Sequence, residues 1–246
     1  MLTIEKTVLP SPAQWEIIIE GMRNPMNSWD KSDSHITYVE DTDTFKIADH
    51  EHILGDNDLC LMRRLAAGGS VHAKYRRMIP VFVTINAPRF WWTEFDTYKI
   101  GTVANSCSTM HKIHAKEFTV DDFSCEHLID SDVEEVIPED WVNVAEEGYF
   151  TEQWDSMEFL KMTVRALNVY RSRFLETKDK KYWWQMIQLL PQSYNQKRTV
   201  MLNYEVLVNI YRWRRDHKLD CWHTFCDWIE SLPYSELITG KGVEVK

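Results

Sequence analysis

No run of about 18–20 apolar residues, the length that spans a bilayer, occurs in this 246-residue sequence, so no transmembrane helix is expected. The first nine residues lack the apolar core of a signal peptide, and a cytoplasmic location is the expectation. Internal repeats and Gly/Ser- or Pro-rich linkers are also missing, which points to one domain over residues 1–246. Positive charge is in short supply: 28 Lys and Arg stand against 38 Asp and Glu, for a formal net charge of −10. Such a balance argues against non-specific nucleic-acid or membrane-surface binding, both of which need a cationic face. Cys60, Cys107, Cys125, Cys221 and Cys226 are odd in number, scattered, and form no Cys-x-x-Cys pair, so free thiols are expected. There is no Gly-x-Gly-x-x-Gly and no Gly-Lys-Ser/Thr phosphate loop. His50-Glu51-His52 and His111-Lys112-Ile113-His114 are the only metal-like clusters, and neither sits in a complete ligand framework. His111 and His114 would share a helix face but leave a site two ligands short, so no metal is assigned.

What the sequence does have is apolar and aromatic surface. With 44% hydrophobic and 13% aromatic residues it can bury a sizeable core. Its 11 tryptophans exceed core needs, which suits interfaces or a flat ligand. Apolar spacing predicts helices over 13–23, 56–67, 152–176, 180–190, 204–217 and 221–232. In the third of these, Phe159, Leu160, Thr163, Val164, Leu167 and Tyr170 form the apolar face. Residues 79–85 read as a buried strand, and Pro88 opens a helix that runs to about Lys99. The acidic, poorly periodic segment 117–148 reads as a long loop or lid.

Two segments carry more than composition. One runs from Gly69-Ser70-Val71-His72 through Ala87-Pro88 and Thr97-Tyr98-Lys99-Ile100-Gly101-Thr102 to Asn105–His111. The other starts at Leu190-Pro191, has Asn203 thirteen residues after the leucine, Asn209 six further on, and Arg214 five beyond that. Together they resemble the two signature blocks of the flavin-dependent thymidylate synthases. In that family a Gly-His pair precedes a strand ending near Ala-Pro, and a helix then carries Gln and Arg-His-Arg-x-x-Ser. A Ser-x-Arg stretch and a Leu-Pro…Asn…Asn…Arg block follow.

The resemblance implies the family's α+β fold, helix-rich with a central antiparallel or mixed sheet, assembled as a homotetramer. It implies FAD as cofactor, with NADPH and methylene-tetrahydrofolate as co-substrates and a pyrimidine deoxynucleotide as acceptor. By position, His72, Lys74, Thr97, Tyr98, Lys99, Asn105, Asn203, Asn209 and Lys218 would face the cofactor. Glu94, Ser106, Cys107, Ser108, Thr109 and Arg214 would face the nucleotide, and Lys99 and Tyr98 would do the catalytic work. The central motif has diverged: Thr97-Tyr98-Lys99 replaces Arg-His-Arg, Glu94 replaces the Gln, Cys107-Ser108-Thr109 (or Ser106-Cys107-Ser108, one residue earlier) replaces Ser-x-Arg, and Ile187 stands where an Arg is expected. Methylation of the dUMP-to-dTMP type is the first reading. The alternatives are a non-catalytic nucleotide- or flavin-binding relative, or a flavoenzyme acting on another pyrimidine nucleotide.

Overall fold

The structure, a computed structural model, describes residues 2–39, 49–129 and 155–241. Most of the expected loop or lid at 117–148 lies outside them; within it, residues 117–129 carry a short 3-10 turn at Val120–Asp122. The backbone falls into two compact units, and the chain passes between them several times.

The first unit comprises Ala87–Glu94 and Ser106–Lys197. It is built around a helical hairpin, α4 (Ser156–Thr177) and α5 (Lys180–Leu189). Asp155 caps α4 by accepting from the Glu158 N–H at 2.6 Å, and Asp179 caps α5 through the Lys181 N–H at 3.0 Å. Lys178, in the left-handed conformation, makes the turn between them. Leu160, Val164 and Leu167 meet Met186, Leu190, Ile113, Phe118 and Phe123 in one core cluster. Phe159 departs from the predicted face and is 66% exposed, one position to the side of the Leu160–Val164–Leu167 stripe. Asn168 pins the incoming loop: its amide bonds both the N–H (2.9 Å) and the carbonyl (2.8 Å) of Phe118. His111 and His114 lie on irregular chain rather than on a shared helix face.

The second unit comprises Leu2–Asn86, Phe95–Asn105 and Arg198–Lys246. It holds α1 (Pro12–Arg23), α2 (Asp56–Ala67), α6 (Tyr204–Arg214), α7 (Asp220–Glu230) and α8 (Glu236–Thr239). A four-stranded sheet has the order β1-β4-β6-β5, with β1 at Thr3–Val8, β4 at Pro80–Pro88, β5 at Val103–Ser106 and β6 at Asn195–Asn203. β1 pairs antiparallel to β4, with Val8 opposite Phe82 and Thr3 opposite Asn86. β4 and β6 are also antiparallel: the Thr84 and Thr199 hydroxyls meet at 3.1 Å while the Tyr204 N–H reaches the Ile79 carbonyl. Val81, Val83 and Ile85 of β4 alternate inward with Val200 and Leu202 of β6 and join Trp222, Phe225, Leu207 and Ile210 in the core. A separate hairpin pairs β2 (His35–Val39) with β3 (Asp49–Ile53).

The helix expected from Pro88 to Lys99 is shorter. Pro88 closes β4, and the helix, α3, covers Arg89–Phe95. Past Phe95 the Tyr98 N–H turns back onto the Phe95 carbonyl and the chain leaves the helical path, with Asp96 ion-paired to Arg198 at 2.8 Å. Tyr98 and Lys99 therefore sit on a turn and not at a helix end.

Candidate functional site

A cleft of about 960 Å³ opens within the second unit, walled by the turn after α3, the first turns of α6, the loop after α2 and the end of α8. Its lining includes Thr97, Tyr98, Gly101, Asn203 and Asn209. The sequence explains how α6 brings its two amides there. Asn203 is the N-cap, with an extended backbone, and its Oδ1 accepts from the Val206 N–H at 3.1 Å. That bond directs Nδ2 toward Gly101, where an added Cβ would come within 3.2 Å of it and 3.1 Å of Val206 Cγ2. Gly101 has φ +80, so the turn needs glycine both for its conformation and for its close approach to α6. Asn209 follows six residues later on the same helix.

The other wall is basic. A 3-10 turn over Lys74–Met78 carries Arg76 and Arg77 into the lining, and Arg212 joins from α6. Tyr75 anchors this turn by donating to the Met62 carbonyl at 2.8 Å, and burial pushes its phenol up to about 12, so it stays a donor. Arg76 is 7% exposed, and its Nη1 stands 3.9 Å from Glu205 Oε2, too long for a hydrogen bond. Arg76 Nε and Glu205 Oε2 are both buried without a hydrogen-bond partner.

The remaining expected site residues lie elsewhere. Lys99 lines a smaller pocket of about 130 Å³ with Asp96, Thr102 and Ala104; Tyr98 lines both pockets and stands between them. Arg214 is outside the cleft lining: its Nε donates to the Tyr98 hydroxyl at 2.9 Å, and its guanidinium lies 4.8 Å from the centre of the buried Trp222 ring. His72 is exposed and packs beside the Gly68 backbone, while Lys74, Asn105 and Lys218 are exposed and do not line the cleft. Glu94, Ser106, Cys107, Ser108 and Thr109 belong to the first unit. There the Cys107 N–H donates to the Lys197 carbonyl at 2.9 Å, its own carbonyl accepts from Gln196, and the Ser108 hydroxyl accepts from the His111 N–H at 2.8 Å. Among the described residues no three His, Cys, Asp or Glu side chains come together as a metal site. Sequence reasoning missed Arg76, Arg77 and Glu205. The basic run Lys74-Tyr75-Arg76-Arg77, directly after the His72 that was singled out, was the available signal.

The sequence matches no protein-family model and no curated protein sequence. Solved structures do resemble it. Thymidylate synthase X from Helicobacter pylori, with FAD and dUMP, superposes with a TM-score of 0.58 over 98% of this chain and 96% of that one, at 16% identity. The chain has the fold of the flavin-dependent thymidylate synthases. A second Helicobacter pylori structure of this flavin-dependent synthase, complexed with FAD and dUMP, gives 0.56 over 98% and 97%, also at 16% identity. The UMP/dUMP methylase PolB from Streptomyces cacaoi, bound with 5-Br dUMP, gives 0.56 over 98% and 95% at 13% identity. At these identities the likeness concerns the fold, and function rests on the site itself. No helix among the described residues is long and apolar enough to cross a membrane.

Proposed function

We propose that this chain is a flavin-dependent methylating enzyme acting at C5 of a pyrimidine deoxynucleotide, in a reaction of the dUMP-to-dTMP type. Methylene-tetrahydrofolate would give the carbon and NADPH the reducing equivalents. The observation that carries the reading is the meeting of Asn203, Asn209, Thr97 and Tyr98 in one cleft, within a fold shared with structures that hold FAD and dUMP.

The donor set suits FAD. The cleft's volume, about 960 Å³, lies in the range of cofactor sites, roughly 300–1,000 Å³. Arg77 and Arg212 offer forked donors for phosphate oxygens. Val206 and Val208 give apolar surface for a ring system, and the amides of Asn203 and Asn209 offer the mixed donors and acceptors that a flavin edge requires. Reduced flavin, when bound, supplies the hydride. This chain's side chains then bind and orient. Tyr98, fixed by Arg214, would stack or hydrogen-bond at the cleft wall; on the signature match, the Lys99 ammonium, one residue on and lining the smaller pocket, would stabilise negative charge on a ring carbonyl. Glu94, Ser106, Cys107, Ser108, Thr109 and Arg214 remain the residues proposed to face the nucleotide, and His72, Lys74, Asn105 and Lys218 remain proposed cofactor neighbours, on the signature match alone.

A second reading has its own support. Lys99 lines the smaller pocket rather than the cleft, which favours a relative that binds flavin or nucleotide without turnover. The UMP/dUMP methylase among the structural neighbours likewise favours a different pyrimidine nucleotide as acceptor. Titrating purified protein with FAD separates the flavin readings from any that lack it. FAD should bind at micromolar or tighter affinity and raise the melting temperature; at a hundredfold excess over Kd the gain is about 2.7 kcal/mol. Asn209→Ala, which leaves the helix cap intact, should abolish most of the shift. A parent protein that ignores FAD would sink the proposal.

A further inference from the structure

The end of the α4–α5 hairpin gathers positive charge that the chain as a whole lacks. Residues 110–114 and 171–184 meet there: Arg171 Nε donates to the His114 carbonyl at 3.0 Å, and Trp183 Nε1 donates to the Met110 carbonyl at 2.9 Å. These two stretches hold Lys112, Arg171, Arg173, Lys178, Lys180 and Lys181, six cations against Glu176 and Asp179, for a net +4 in a chain of −10. Arg173 and Lys181 pair with those two carboxylates. Lys112, Lys178 and Lys180 are exposed and, among the described residues, enter no ion pair. Their neighbours are aromatic. Lys180 Nζ lies 5.9 Å from the ring centre of Trp183 and 5.7 Å from that of Trp184, and Lys178 Nζ lies 6.0 Å from that of Phe174. The two indoles stand edge to face at 4.8 Å and Trp183 is tethered by its N–H, so Trp184 is held in place while 43% exposed. A lysine face that is merely solvated needs no indole in its midst, because leaving that ring in water forgoes the gain of burying it.

We propose that this hairpin end is a docking surface for single-stranded nucleic acid, with phosphates against Lys112, Lys178 and Lys180 and a base stacked on Trp184. Single-strand sites without sequence preference combine cations for the backbone with aromatic faces for the bases, since every base has a π face to offer. The hairpin end has both, ring and ammonium side by side. An acidic peptide would complement the lysines and leave the indole unused, and a bilayer would need apolar side chains projecting beyond the lysines. The expectation against nucleic acid rested on total charge, whereas docking is governed by the local field. The acidic remainder of the chain confines binding to this face and makes it weak and salt-sensitive. None of these residues lines the cleft, so the surface is independent of the proposed reaction.

The probe is a fluorescent oligothymidylate of about a dozen nucleotides, within the span of such sites, titrated with the full chain and read by anisotropy. It should bind at low salt and weaken as salt rises, with a log–log slope of about −2, the value for three phosphates neutralised on a single strand. Lys178→Gln combined with Lys180→Gln should weaken binding about tenfold or more and bring the slope to about −0.7. Trp184→Ala should weaken it about fivefold or more at unchanged slope, because stacking carries no charge, and Trp184→Phe should recover part of the loss. All these positions are exposed, and circular dichroism matching the parent verifies the fold. FAD titration of the same variants should also match the parent, so this surface and the flavin proposal stand or fall separately. No anisotropy change at low salt overturns the surface, as does binding that survives all of these substitutions. Polyglutamate that displaces the oligonucleotide at equal charge, with no dependence on Trp184, overturns it in favour of an acidic protein partner. Vesicles of anionic lipid that bind more tightly than the oligonucleotide overturn it in favour of a membrane contact.

Discussion

The Tyr98 hydroxyl accepts a 2.9 Å hydrogen bond from Arg214 Nε, so a residue of the cleft wall is held by one outside the cleft lining. The Arg214 guanidinium lies 5.6 Å from the centre of the Tyr98 ring and 4.8 Å from that of Trp222. Trp222 is fully buried, so the stack has a fixed base. Arginine is suited to this because its planar cation stacks on rings while its edge still donates.

Loss of that arrangement should loosen Tyr98. Arg214→Lys keeps the charge but neither stacks flat nor presents Nε, and it should weaken ligand binding in the cleft several-fold. The expected cost to stability is about 1 kcal/mol, a typical cation–π and hydrogen-bond loss. Ligand titration and near-ultraviolet circular dichroism of the Tyr98–Trp222 region report the two effects. An unchanged aromatic spectrum in Arg214→Lys would contradict the positioning role.

The buried Arg23–Asp58 ion pair in the same unit should contribute to acid stability. The Asp58 carboxylate, fully buried, accepts from Arg23 Nε at 2.5 Å, from the Ser32 and Ser34 hydroxyls at 2.7 Å each, and from two backbone N–H groups. Burial alone would raise its pKa, but the Ser34 and Ser32 hydroxyls and Arg23 outweigh burial and hold it below the ordinary 3.8. A depressed folded-state value means stability that is fully present above the unfolded value and is lost as pH falls through the folded one. The loss therefore begins below about pH 4. Urea unfolding should show Asp58→Asn costing about 3–5 kcal/mol at neutral pH, because Arg23 is left buried and unpaired. The gap to the parent should shrink as pH drops below 4. A gap that stays constant down to pH 2 would remove Asp58 from the account.

On the homotetramer reading, exposed apolar side chains would lie in subunit contacts. Val8 and Phe82 are opposite one another across β1 and β4, and both are about half exposed. Trp213 is 67% exposed. On the homotetramer reading, light scattering at micromolar concentration should return about four chain masses. A monomer at that concentration would count against it.

How much of this was legible in the sequence depended on local signals. α2 was found at Asp56–Ala67 because acidic residues open it and Gly68-Gly69 close it. The strands β1 and β6 went unread: β1 sits at a sheet edge with little buried surface, and β6 begins with five polar residues before Val200 and Leu202 turn inward. Both break the apolar run on which strand recognition depends. The end of α3 was misread: past Phe95 the Tyr98 N–H bonds the Phe95 carbonyl three residues back, while Asp96 pairs with Arg198, and no local residue announces that change. In the candidate site, Asn203 and Asn209 were visible through the spacing of the signature block, and one helix and its cap carry both. The Arg76–Glu205 pair was not, because its members are distant in the chain and each looks like surface charge by itself.

The central claim is methyl transfer to a pyrimidine deoxynucleotide, and tritium release from C5-labelled dUMP measures it directly. With FAD, NADPH and methylene-tetrahydrofolate present, release should be detectable but slower than a typical enzyme turnover of about 1–10 s⁻¹. Two donors of the signature motif are replaced by Thr97 and Tyr98, and one such donor can be worth about 10²–10³ in rate. Omitting FAD should stop the release. Lys99→Ala should remove most of it, and Thr97→Ala less, because a neutral hydroxyl stabilises charge more weakly than an ammonium. No release from labelled dUMP, in protein that binds FAD, would contradict the account.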